Sequence, residues 1–223
     1  MNKKIIMLIA LLTLLGLAVF VSASMTLLSK PDTLNTPDYE VDVYLFKGWN
    51  LVAGVGDLDL ILPDSEIQEK DIIAVYSYIP SVQDYARVLP YDKMESDKIN
   101  LLDDDQFFSS SFWVYSKEPG RLKFRTETLW LKDRLLFSGW NFLSITPNMI
   151  GQGGEPELRD FAGTCNLEKA YFFNPEQQEW VVFPLNEDFS EDASGLGILI
   201  KVSNNCNMEN VGDGDVPPPS IPN

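Results

Sequence analysis

Catalysis by a nucleophile paired with imidazole is closed to this chain, because its 223 residues include no histidine and a Ser-His-Asp or Cys-His arrangement would have no base. No Ser-x-x-Lys occurs either. Glycosidase chemistry needs two converging carboxylates. The chain has 33 Asp and Glu residues, but none stands in a context that marks it as buried or partnered. Gly151-Gln152-Gly153-Gly154 runs into Glu155-Pro156, where carboxylates oppose the anion that a phosphate cradle would hold. Calcium best suits the hard oxygen ligands of Asp57 with Asp59, of Asp103 to Asp105, and of Asn210 to Asp215. None completes a calcium loop, the last lacking its terminal bidentate glutamate. With no Cys-x-x-Cys spacing, a zinc site is also poorly served. The expectation is a protein that is not an enzyme and holds no metal or cofactor.

The aromatic residues offer a different chemistry, since exposed Trp and Tyr stack on sugar rings and anchor interfaces. Tyr76, Tyr78, Trp113 and Tyr115 lie in strand-like runs and are the candidate ligand contacts. Trp49 and Trp140 stand beside a glycine and an asparagine whose amide can close a local backbone bond, and they read as core anchors. Tyr85 and Trp180 read as packing residues of hairpins. Arg121, Lys123 and Arg125 form a basic strip, expected to pair with nearby Asp and Glu.

The elements that must position these residues come in two sets. Gly48-Trp49-Asn50 is followed by Tyr76-Ser77-Tyr78-Ile79-Pro80, Tyr85 and Phe112 to Tyr115; Gly139-Trp140-Asn141 is followed by Tyr171-Phe172-Phe173-Asn174-Pro175, Trp180 and Ile198 to Ile200. The shared order reads as a tandem repeat. Val41, Val43 and Leu45 alternate with polar or aromatic neighbours, and 72–79, 85–89, 107–115, 121–125, 168–173 and 180–183 also read as strands. Short helices are expected at 64–70, with Ser65 and Gln68 as a capping box, and at 156–161, with Leu158 and Phe161 on one face. The fold class is mostly β: two pseudo-repeated small antiparallel modules, barrel- or sandwich-like, each with a short helix.

Asn2-Lys3-Lys4 followed by the uncharged apolar run Ile5 to Val21 reads as an export signal, with cleavage before Ser24 preferred over a retained anchor. The expected organisation is a signal or anchor at 1–23, a spacer at 24–40, the first module at 41–127, the second at 128–208, and a disordered Pro-rich tail at 209–223. Formal charge is −16, and −18 once Lys3 and Lys4 are removed. That charge argues against nucleic acid, and a membrane contact is expected only through the N-terminal segment if it is uncleaved. Cys165 and Cys206 are the two cysteines, and in an exported chain they suggest a disulfide closing a loop of about 42 residues, which would stabilise by about 4 kcal/mol.

The order Gly-Trp-Asn, aromatic strand, proline turn, Trp or Tyr return strand and final aromatic or aliphatic strand resembles modules of exported and cell-surface proteins of archaea and bacteria. The second copy is the more similar, through Gly163-Thr164-Cys165-Asn166, Lys169 to Phe173, Trp180 and Gly195 to Val202 before Cys206. The resemblance implies a β-rich envelope or secreted module without a known activity. The expected function is a non-catalytic secreted or cell-surface interaction module, extracellular or at the cell surface, whose partner is an envelope protein or polysaccharide. The alternatives are a carbohydrate-active enzyme using paired carboxylates and a self-associating structural component of the envelope.

Overall fold

The computed structural model describes residues 38–54, 58, 61–102, 104–127, 134–150 and 157–209, all within one compact unit spanning 36–223. The signal or anchor, the spacer up to residue 37, Asp57, Asp59, Asp103, the Gly151 to Gly154 run and the tail from residue 210 lie outside the described residues.

The architecture is mostly β, with two separate four-stranded antiparallel sheets. Strand β1 (Asp38–Leu45) pairs along its whole length with β6 (Gly120–Glu127). It buries Val41, Val43 and Leu45 and turns Glu40, Asp42 and Tyr44 outward, as period-two alternation requires. The strand starts at Asp38 rather than Val41, because 38–40 find register partners at 125–127. Two of the three residues of the basic strip on β6 are paired, Arg121 Nη1 lying 2.9 Å from Asp42 Oδ1 and Lys123 Nζ 2.7 Å from Asp64 Oδ2.

The first sheet runs β2-β5-β3-β4, built from β2 (Gly48–Ala53), β5 (Ser111–Ser116), β3 (Ile72–Ile79) and β4 (Asp84–Leu89). The second runs β8-β11-β9-β10, built from β8 (Gly139–Ser144), β11 (Gly197–Val202), β9 (Leu167–Asn174) and β10 (Glu179–Phe183). In both, the Gly-Trp-Asn strand is one edge and the hairpin's return strand is the other. Two short strands, β7 (Leu135–Leu136) and β12 (Cys206–Asn207), pair beside the second sheet.

Helices differ from expectation in the first half. Residues 64–70 form turns leading into a 3-10 turn at Glu69–Asp71, because the Ser65 hydroxyl donates to the Ile67 carbonyl at 2.7 Å and accepts from the Lys123 amide of β6 at 3.0 Å. That hydroxyl is therefore not available to cap a helix. Helical turns occur instead at α1 (Ser96–Ile99) and α2 (Asp104–Ser109). The second helix occupies sequence that read as the start of a strand, and Phe107 within it packs edge-on against Phe112 at 5.0 Å. In the second half, Leu158–Phe161 is a 3-10 helix that buries Leu158 and Phe161.

Each sheet covers its own apolar core. One gathers Val52, Val75, Ile79, Phe112, Val114 and Phe124; the other gathers Leu143, Ile145, Phe161, Ile198, Ile200 and Met208. Cys165 and Cys206 form a disulfide with a sequence separation of 41 inside the second core. The opposite faces of the sheets meet in a third cluster, in which buried Leu51, Tyr78 and Phe142 are flanked by Trp113, Trp140, Phe173 and Leu199. Among the described residues no helix is long and apolar enough to cross a membrane.

Candidate functional site

Where the two sheets meet, a groove of about 530 Å³ opens, lined by Trp49, Tyr76, Tyr85, Trp113, Phe173 and Gln178. Its floor follows from strand register. Trp113 lies opposite both Leu51 and Tyr76, and Tyr115 lies opposite Trp49, so β2, β5 and β3 project their aromatic residues side by side from one face. Trp49 packs edge-on against Tyr76 at 5.8 Å, Trp113 at 6.2 Å and Tyr115 at 5.0 Å. The wall comes from the other sheet: Phe173 meets Trp113 edge-on at 4.6 Å, and Trp180 supports it at 5.5 Å.

Of the four aromatic candidates, Tyr76 and Trp113 line the groove. Tyr115 stands behind them against Trp49. Tyr78 is 7% exposed and belongs to the junction, 5.0 Å from Phe142. Residues two apart in a strand share a face, so all four lie on one side of the sheet. What divides them is how far the second sheet covers that side. Trp49 departs from the core role expected of it, being half-buried and part of the groove. The core face of β2 belongs instead to Asn50 and Val52, 2% and 0% exposed.

Both Gly-Trp-Asn motifs are built in the same way. The Asn50 amide donates to the Phe46 carbonyl at 2.8 Å and accepts from the Phe46 amide at 2.8 Å; Asn141 makes the same pair with Phe137 at 2.7 and 2.9 Å. The glycines hold φ of 105° and 104°, a region that disfavours any side chain. A Cβ at Gly139 would come 2.5 Å from Gln83 Oε1, and one at Gly48 would come 3.2 Å from Gln178 Oε1.

Those two glutamines are the site residues that motif reasoning missed. Gln178, in the turn of the second hairpin, accepts from the Trp49 amide at 3.1 Å and donates to the Trp49 carbonyl at 2.9 Å. Gln83, in the turn of the first, accepts from the Trp140 amide at 2.8 Å and donates to the Trp140 carbonyl at 3.0 Å. Each hairpin thus grips the backbone of the other half's tryptophan. Both glutamines stand three residues after a turn proline, a shared spacing that was visible in the sequence.

The polar groups around the groove are mostly donors. Arg87 sends Nε and Nη2 to the Tyr76 hydroxyl at 2.9 and 2.6 Å, so that oxygen accepts twice and its own proton is free to be donated. The Arg87 guanidinium lies 5.2 Å from the Tyr76 ring centre. Burial raises the pKa of Tyr85, an effect opposed by a hydrogen bond with Trp113. No lining residue is a carboxylate. Among the described residues no group of three or more His, Cys, Asp or Glu side chains could hold a metal ion.

Compared with family models, curated proteins and solved structures, the chain matches none.

Proposed function

We propose that this chain is a non-catalytic interaction module working outside the membrane, with a glycan of the cell envelope as the ligand of its aromatic groove. The carrying observation is the juxtaposition of Trp49, Tyr76 and Trp113 on one open sheet face against the Phe173 wall. Flat aromatic faces pack against the C–H face of a pyranose, while the Tyr76 proton supplies a donor for a ring or hydroxyl oxygen. A carbohydrate-active enzyme would need two acidic side chains converging on the sugar, and the lining supplies none. Export is supported by the basic start and apolar run of residues 2–21 and by a disulfide suited to an oxidising compartment. The matching strand orders and reciprocal glutamine contacts support a tandem repeat of one unit, with a groove floor that is rich in aromatics in the first half.

Titration of tryptophan fluorescence with oligosaccharides of about four to six units, and affinity electrophoresis through envelope polysaccharide, test this reading. Trp113→Ala is expected to weaken binding about 30-fold, the effect of losing roughly 2 kcal/mol at an aromatic hot spot. Because Trp113 also touches Phe142 and Trp180, Tyr76→Phe serves as the milder variant, expected to weaken binding several-fold without disturbing the junction. A wild-type chain that binds no glycan in either assay sinks the proposal.

A further inference from the structure

The two hairpins end in return strands whose outer edges differ. In the first sheet, the outer edge of β4 is covered by the segment leading into α1. The Arg87 amide donates to Glu95 Oε2 at 2.8 Å, the Arg87 carbonyl accepts from the Glu95 amide at 2.9 Å, and the Tyr85 carbonyl accepts from Lys98 Nζ at 3.0 Å. Tyr85 and Arg87 are therefore the β4 residues whose backbone groups point away from the sheet. The second hairpin has the same four-residue turn, 175–178 against 80–83, and the same register, with Trp180 opposite Phe173 as Tyr85 is opposite Tyr78. Trp180 and Val182 consequently point their amides and carbonyls outward from β10, and among the described residues nothing bonds to them. The side chains of this edge are exposed too: Trp180 39%, Val181 45% and Val182 66%. No lysine or proline interrupts Glu179–Phe183, so the usual guards of an exposed edge are missing.

We infer that β10 is an association edge and that its occupant is β10 of a second copy of this chain, paired antiparallel about a two-fold axis through Val181. The strand is self-complementary in that register. Trp180 faces the partner's Val182, and each has its free backbone groups turned toward the other. The two-fold therefore makes four ladder hydrogen bonds, with Val181 against the partner's Val181 as the close, non-bonded pair between them. Electrostatics select the same register, because Glu179 meets the partner's Phe183 rather than a second glutamate, and no like charges oppose each other on either face. The two sheets become one of eight strands. A five-residue strand pair buries much less than the roughly 1,200 Å² of a stable interface, so the dimer is weak and forms where copies are crowded on a surface. This association is independent of the groove and of its ligand.

A register-specific cross-link tests it in the full-length chain, held in detergent so that the N-terminal segment is common to every variant. Both native cysteines are already bonded to each other. In Val181→Cys the two introduced thiols face each other at non-bonded-pair distance, within reach of a disulfide. Val82→Cys, exposed at 51% in the turn of the first hairpin, reports random collision. Under mild oxidation Val181→Cys is expected to give at least about 10-fold more covalent dimer than Val82→Cys. Adding Val182→Pro, which removes the outward amide of each copy and with it two of the four ladder bonds while being tolerated on an edge strand, is expected to return it to the collision level, with circular dichroism checking that the fold persists. Equal cross-linking in Val181→Cys and Val82→Cys, or cross-linking that survives Val182→Pro in a folded chain, overturns the inference.

Discussion

Gln83 and Gln178 hold left-handed backbone, with φ of 54° and 57°, a conformation that costs a residue bearing a Cβ about 1 kcal/mol. Glycine or asparagine would fill such a position at lower cost. The glutamine side chain offsets that cost through three hydrogen bonds, one to its own turn proline's carbonyl and two to the opposite tryptophan's backbone. The balance predicts an unusual order of variants. Gln83→Ala keeps the strain and loses the bonds, and since the contacts are exposed enough for water to replace them, the expected cost is about 1–2 kcal/mol. Gln83→Gly loses the same bonds but sheds the strain, so it should be about 1 kcal/mol more stable than Gln83→Ala. Urea denaturation measures both, and an alanine variant as stable as the glycine variant would contradict the account. These residues escaped the sequence reading because their work is done across 57 and 129 positions of chain. Tyr76 and Trp113 were legible as aromatic residues of strand-like runs, but that they share a face is fixed by the register of β3 against β5. Their partners in the wall, Phe173 and Gln178, were not legible, since no local pattern records which surface of one half covers the other.

At the scale of elements, the strands were the readable part, because burial on one face imposes a period of two on the side chains. The helical turns were less so. Ser65 and Gln68 have the spacing of a capping box, but a strand 56 positions away competes for the serine hydroxyl through the Arg121 carbonyl and Lys123 amide. Phe107 and Phe112 read as parts of one strand, but Ser109-Ser110-Ser111 stands between them, and the chain folds back there so that the rings meet. The disulfide was readable from the cysteine count and the expectation of export, and it ties the segment before β9 to β12. Its loop-closure contribution is about 4 kcal/mol in the chain-entropy model, which for a domain of this size corresponds to a drop in Tm on the order of 10 °C when the bond is reduced. Calorimetry with and without reductant checks this, and a Tm unchanged by complete reduction would mean that the second core of Phe161, Ile198 and Met208 holds this loop without covalent help.

The molecule as a whole depends on the junction, since each sheet has its own core and the two halves are joined through Tyr78, Phe142 and Leu51, the two glutamine contacts, and the bonds from the Ala53 amide to the Gly195 carbonyl and from the Ser111 and Ser144 hydroxyls to the Leu143 and Ser110 carbonyls. Tyr78 gives the junction a pH limit. Burial pushes its pKa up to about 12, and the neighbouring Tyr85 and Asp84 add to the effect by disfavouring a phenolate. In the unfolded chain the same hydroxyl titrates near its ordinary value of about 10. Below pH 10 both states are protonated and the contribution to stability is complete. Between pH 10 and 12 the unfolded state loses its proton first, so stability falls as pH rises and the contribution is gone above the folded value. Absorbance at 295 nm should therefore show a late phase belonging to Tyr78 and, through its own burial, Tyr85, in step with a rise in tryptophan emission wavelength as Trp113 and Trp180 lose the Phe142 ring packed on them. Tyr78→Phe keeps the contact with Phe142 and removes the group that titrates. That variant should lose the Tyr78 share of the late ionisation and hold its junction to higher pH. A wild-type chain whose tyrosines all ionise near pH 10 while the tryptophan emission stays unmoved would show that Tyr78 is open to water and that the junction does not depend on its burial.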